Sequence, residues 1–130
     1  LCTWARNHWR ILTGSASRIQ HLPQYAMRIL RDFWGLDVRL TEERLEHILE
    51  HPEMMGSEAA IEDTLGYPEQ VLESLFDSEI RLYYRFYRGT VVGDKYLCVV
   101  VKTSDMDAFV LTAYLTDSVK RGWRLWPETE

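Results

Sequence analysis

Cysteine is scarce in this sequence. Cys2 and Cys98 are the two in 130 residues, they form no CxxC, and they sit in unlike contexts. Two such thiols cannot build a metal site alone, so reduced thiols are expected. Long apolar runs are missing as well. No uncharged stretch approaches the ~18 residues of a membrane span, and the start lacks the ~7–15 apolar residues of a signal peptide. A cytoplasmic protein with no membrane partner is the expectation. The motifs GxGxxG, GxxxxGKS/T and GxSxG are absent too, which ranks nucleotide-cofactor enzymes and serine hydrolases low and implies no cofactor.

What is present describes an ordinary folded globule: 46% hydrophobic residues, 27% charged, seven Gly and four Pro. A chain of this length allows one compact domain. Charge is distributed unevenly along it. Residues 1–26 hold Arg6, Arg10 and Arg18 without any acid, a charge of +3, which leaves −8 on the rest of a chain whose formal charge is −5. The apolar residues of that head follow neither helical nor strand periodicity. The break near Met27 marks residues 1–26 as an unmatched basic extension, with Met27 as the natural start and 27–130 as the domain. A basic targeting or nucleic-acid arm is the alternative.

From Leu40 the pattern turns helical. Thr41 suits an N-cap, Glu42 and Glu43 suit the positive end of the helix dipole, and Leu45, Ile48 and Leu49 recur at helical spacing before Pro52. A second helix is expected from Ser57 to Gly66, burying Ala60, Ile61, Thr64 and Leu65. Val71 and Leu72 suit a brief strand. Three alternating strands follow, Ile80–Tyr87, Lys95–Lys102 and Phe109–Thr116, joined by short turn-prone linkers that predict an antiparallel meander. In the first, Ile80, Leu82, Tyr84 and Phe86 oppose Arg81, Tyr83, Arg85 and Tyr87. In the second, Leu97, Val99 and Val101 oppose Tyr96, Cys98, Val100 and Lys102. In the third, Phe109, Leu111, Ala113 and Leu115 oppose Val110, Thr112, Tyr114 and Thr116. Each greasy face is expected beneath the two helices, and the tail 117–126 as a short docking segment anchored by Trp123 and Trp126.

Two constellations suggest chemistry. On the first helix Arg44, His47 and His51 fall within a sector of about 60° beside the apolar stripe. There His47 suits either a structural hydrogen bond or acid–base work. The His47–His51 spacing also matches a zinc helix, but Glu does not follow the first His and no third ligand stands out, so no metal is expected. The polar sheet face gathers Arg81, Arg85, Lys102, Tyr83, Tyr87, Tyr114, Thr112 and Thr116. Cations among hydroxyls and rings suit a phosphodiester with unpaired bases. An exposed sheet face also favours Thr, Tyr and Arg by propensity and solubility, so the pattern carries both readings. The acidic body argues against tight non-specific nucleic-acid binding.

The ordered blocks Leu40-Thr41-Glu42-Glu43-Arg44-Leu45-Glu46-His47-Ile48-Leu49-Glu50-His51-Pro52, Arg81-Leu82-Tyr83-Tyr84-Arg85, Lys95–Lys102 and Phe109–Asp117 resemble uncharacterised bacterial members of the phage Barnase-EndoU-Colicin-RelE-like nuclease group. The resemblance covers about residues 38 to 127 of this chain. It implies an α+β domain, two N-terminal helices packed on a four-stranded antiparallel sheet, with a short C-terminal segment. It further implies a metal-independent endoribonuclease of toxin or phage-effector type, in which the RNA 2′-hydroxyl attacks the adjacent phosphate. Carried over, His47 becomes the general acid or base, Arg81 or Arg85 with Lys102 holds the phosphate, and Thr112 or Thr116 steers it. Arg44 joins the substrate contacts, and Tyr83 and Tyr114 stack a flanking base or substitute in proton transfer. RNA is then the substrate, with an antitoxin or immunity protein as partner. No histidine follows His51, so a second histidine from the sheet is lacking. The alternative is a non-catalytic interaction domain of the same fold, with His47 structural.

Overall fold

In the computed structural model, residues 27–128 are described. They run in the order β1 (Met27–Arg31), β2 (Asp37–Thr41), α1 (Glu42–Leu49), a 3₁₀ turn (Pro52–Met54), α2 (Glu58–Gly66), β3 (Gln70–Ser74), β4 (Ile80–Thr90), β5 (Gly93–Ser104), β6 (Asp107–Thr116) and β7 (Gly122–Trp126). The seven strands form one sheet ordered β1-β2-β6-β5-β4-β3-β7. Neighbours pair antiparallel except β2 and β6, which run parallel around Arg39 opposite Phe109.

This corrects the expected fold of two N-terminal helices on a four-stranded antiparallel sheet. The meander β4–β5–β6 forms as expected, but a hairpin precedes the helices and strands are added at both edges, giving a mixed sheet of seven. The expected separate head, residues 1–26, lies outside the described residues.

The local sequence explains the additions. In β1 and β2, Leu30, Val38 and Leu40 alternate with partly or fully exposed residues and are themselves buried, the period-2 signature of a half-buried strand. Between them Asp32 builds the turn with its own side chain. Its Oδ1 accepts from the backbone N–H of Trp34 at 2.9 Å and of Leu36 at 2.8 Å, and Gly35 supplies the positive φ of 86° that the reversal needs. The tail, expected as a docking segment, is instead the edge strand β7, paired with β3 through a bulge between Val71 and Leu72.

Both helices pack on one side of the sheet. Thr41 caps α1 as expected, its Oγ1 accepting from the Arg44 N–H at 3.1 Å. Leu45 and Ile48 of α1, with Ala60, Ile61 and Leu65 of α2, share one core with Val99, Val101, Val110 and Ala113. Ser57 precedes α2 as expected, but its hydroxyl is buried without a hydrogen-bond partner and does not cap. Thr64 instead ties α2 inward, its hydroxyl 2.7 Å from the Ala60 carbonyl it donates to and 3.0 Å from the Tyr87 hydroxyl.

The opposite side of the sheet is not bare. Three strands separate β6 from β7, so the linker 117–121 must cross this second face. Val119 packs there against a cluster built on Leu72, Leu82, Tyr84 and Cys98. The Lys120 N–H donates to the Tyr84 hydroxyl at 3.1 Å, and its ammonium sits 5.6 Å from the Tyr114 ring centroid. Among the described residues no helix is long and apolar enough to cross a membrane.

The crossing lands at Gly122, where a Cβ would stand 2.6 Å from the Glu73 carbonyl oxygen and 3.1 Å from the Leu72 Cβ. Backbone cannot yield as a flexible side-chain tip can. Gly122→Ala should therefore cost about 1–3 kcal/mol, the usual range for overpacking, and loosen β7. Urea unfolding checks the stability, and amide exchange of residues 123–126 checks the strand; an unchanged midpoint would contradict the close approach.

Candidate functional site

Which side chains can meet is decided by pairing register. A tight hairpin continuing the Thr90–Gly93 pair would set Tyr84 against Val99 and put Leu82, Tyr84 and Phe86 under the helices. A bulge between Tyr87 and Thr90 shifts the ladder by one residue, so Tyr83 faces Val99 and Tyr84 faces Cys98. Gly89 takes the positive φ of 68° there, and its N–H is held by the Asp94 carboxylate at 2.8 Å. A one-residue slip exchanges the two faces of a strand. Arg81, Tyr83, Arg85 and Tyr87 thus lie on the helix side, and Ile80, Leu82, Tyr84 and Phe86 on the other. A second bulge, between Val100 and Val101, lets Val110 and Ala113 both join the core.

The single polar sheet face expected from the sequence is consequently two half-faces. Lys102 pairs with Ile80 and Phe109, and Thr112 with Val100, placing them with Tyr114 and Thr116 on the side away from the helices. Lys102 is committed to Asp77 at 3.0 Å and Glu79 at 3.3 Å. These two acids, Asp77 first, raise its pKa by hydrogen bonding. The Thr116 hydroxyl donates to the Ser118 carbonyl at 3.2 Å. Cys98, buried between Tyr84 and Tyr114, has its thiol pKa raised by desolvation, which keeps it protonated and unreactive.

His47 is on the helix side of the sheet but points outward, with its side chain 64% exposed and its Nδ1 3.7 Å from Glu50. It lines a shallow cleft of about 200 Å³ with Glu43, Arg44, Glu46 and Glu50. Three carboxylates against one guanidinium make that cleft unfavourable for a phosphodiester. The structure does not bring His47 together with Lys102 or Thr112, because the sheet lies between them. Arg85 is near Arg81 in sequence but turns its guanidinium to the Tyr67 carbonyl at 2.6 Å and the Tyr87 ring at 5.9 Å.

A different set converges on Arg81. Its guanidinium carbon lies 5.3 Å from the Trp34 ring centroid. It has no carboxylate partner among the described residues, and Glu73 stands directly opposite it on β3. Glu73 in turn faces Trp123 on β7, so Arg81, Glu73 and Trp123 form one row on the helix side, spanning two strand spacings or roughly 10 Å. The hairpin turn supplies Trp34 and stays in place through Asp32. That carboxylate is 4% exposed and accepts from the fully buried Tyr83 hydroxyl at 2.7 Å. Burial first, and the Asp32 hydrogen bond second, push the Tyr83 phenol well above its ordinary range, with Arg81 pulling the other way. Phe33 continues the aromatic run, 4.1 Å from Trp34 and 5.0 Å from Trp126 between ring centroids.

No family model matches the chain, and no curated protein or solved structure matches it. Among the described residues no group of three or more His, Cys, Asp or Glu side chains is placed to hold a metal ion.

Asp32, Trp34 and Glu73 escaped the sequence reading. The Asp-Phe-Trp-Gly run of residues 32–35 carries an Asx-turn signal, and Glu73 follows Val71 at strand spacing. Trp123, expected as a packing anchor, is 64% exposed.

The buried phenols make stability fall with alkali. Tyr83 and Tyr84 are raised above the ordinary value near 10, and burial pushes Tyr87 up to about 12. A raised folded pKa gives stability that is complete below the unfolded pKa and lost as pH climbs through the folded one. Melting temperature should hold to about pH 10 and drop toward pH 12. Phenolate absorbance from the folded protein at pH 10 should come from exposed tyrosines only; full tyrosine ionisation in the folded state at that pH would contradict the burial.

Proposed function

We propose that the protein is a metal-independent endoribonuclease of toxin or phage-effector type whose reacting groups are Arg81 and Glu73. The observation that carries this is the cross-strand juxtaposition of a guanidinium and a carboxylate neither of which makes an ion pair among the described residues. The order of the sequence blocks that resemble the phage nuclease group supports the nuclease class and includes Arg81, while Glu73 lies outside those blocks.

The chemistry follows from those two groups. Arg81 offers a planar fork of N–H donors, stacked on Trp34, to the non-bridging oxygens of a phosphodiester. Glu73 accepts the proton of the RNA 2′-hydroxyl as that oxygen bonds to phosphorus. The P–O5′ bond breaks, and solvent at the open edge protonates the departing oxygen, leaving a 2′,3′-cyclic phosphate and a 5′-hydroxyl. The charge that builds on the crowded phosphorane is where a fixed guanidinium stabilises most. Tyr83 and Asp32 do not touch the phosphate; they fix the turn that holds Trp34 over Arg81. An antitoxin or immunity protein would act by covering this edge.

The test is RNA cleavage in EDTA. Arg81→Ala and Glu73→Gln should each lower the rate by about 100-fold or more, the scale of a lost acid–base or charge-stabilising group. His47→Ala and Lys102→Ala should cleave close to the parent rate. Loss of activity with His47→Ala, while Arg81→Ala stays active, would overturn the assignment.

A further inference from the structure

We propose that the Arg81 site takes a single, unpaired RNA strand, its bases stacked on Trp34 and Trp123 and its backbone following the β7 edge. This deepens the ribonuclease reading and rests on it for the identity of the nucleic acid. Two independent observations lead there.

The first is where positive charge remains unneutralised. Arg28, Arg31, Arg39, Lys95 and Lys102 are each tied to an acid, by Glu58, Asp37, Asp107, Asp117 and the Asp77–Glu79 pair respectively. Arg81, Arg121 and Arg124 make no ion pair among the described residues, and neither do Arg44, which stands among Glu43, Glu46 and Glu50, Arg85, which donates to the Tyr67 carbonyl, Lys120, which sits over the Tyr114 ring, and Arg88. Arg121 precedes β7, Arg124 sits on it opposite Leu72, and Arg81 is two strands inward. Three of the cations without an ion pair therefore belong to the β4–β3–β7 end of the sheet, Arg81 on the helix side and Arg124 on the opposite face of the edge strand, a local positive charge that a polyanion following that edge would meet.

The second is aromatic surface left open at that same edge. Trp34 is 46% exposed, Trp123 64% and Trp126 36%. Trp123 and Trp34 bracket the row holding Glu73 and Arg81, so a base stacked at either end leaves its phosphate over the guanidinium. In a duplex the base faces are covered by their neighbours, and only an unpaired strand can offer them to an indole. Between Trp34 and Trp123 the row holds Arg81 and Glu73, charged groups that the apolar centre of a protein-binding patch is depleted in, so the observations favour the strand over a protein occupant.

The probe is a 12-residue oligouridylate carrying 2′-O-methyl groups, which lacks the attacking hydroxyl and reports binding without cleavage. Tryptophan fluorescence of the full chain should quench saturably with it, and at least tenfold more weakly with a 2′-O-methyl duplex of equal length. Trp123→Ala and Trp34→Ala should each weaken binding about five- to hundredfold, the span given by loss of one base–aromatic stack. Trp123→Tyr should restore most of it, and His47→Ala, outside the site, should bind like the parent. No quenching, equal affinity for duplex, or indifference to both Trp→Ala changes overturns the proposal. Binding intact with no cleavage of ordinary RNA sinks the ribonuclease reading and leaves the strand site standing. Cleavage that ignores both Trp→Ala changes does the reverse.

Discussion

The left-handed glycine at position 89 governs more of this protein than any single contact. By inserting one residue into β4 it sets Tyr83, not Tyr84, against Val99, and every side chain from Ile80 to Tyr87 takes its face from that choice. Two buried tyrosines then reach the helices and the β1–β2 turn, where Tyr83 meets Asp32 and Tyr87 meets Thr64. Their neighbours Arg81 and Arg85 are carried to the same side. Lys102, on β5, is left on the other.

Much of the architecture was legible. Both helices, the Thr41 cap, the buried stripe Ala60-Ile61-Thr64-Leu65 and the β4–β5–β6 meander follow from periodicity and capping chemistry. The edge strands were harder to see for definable reasons. β1, β2 and β7 have five residues each, too few for alternation to stand out from chance. Their pairing depends on partners distant in the chain.

The candidate site was legible only in part. Arg81 and Tyr83 share one strand face as expected, yet the expectation joined that face to Lys102, Thr112, Tyr114 and Thr116 by grouping the less apolar sides of three alternating strands. Alternation within a strand is a local property, whereas the match between strands depends on turn and bulge geometry that a residue pattern does not encode. Glu73 and Trp34 were missed because their relevance arises from adjacency to Arg81, one across a ladder and the other from a distant turn. His47 stood out for its chemistry, but the structure gives it a solvent-facing position among carboxylates.

The proposed site therefore sits at the β3–β4–β7 end of the sheet, where Arg81, exposed indoles and a carboxylate without an ion pair among the described residues coincide. The most direct measurement is an amide and indole NMR map of the protein with an uncleavable single-stranded RNA. The account predicts perturbations at the indoles of Trp34 and Trp123 and at the backbone of Glu73 and Arg81, with His47 and Lys102 unmoved. Perturbations centred on His47 or Lys102, with the two indoles silent, would contradict it.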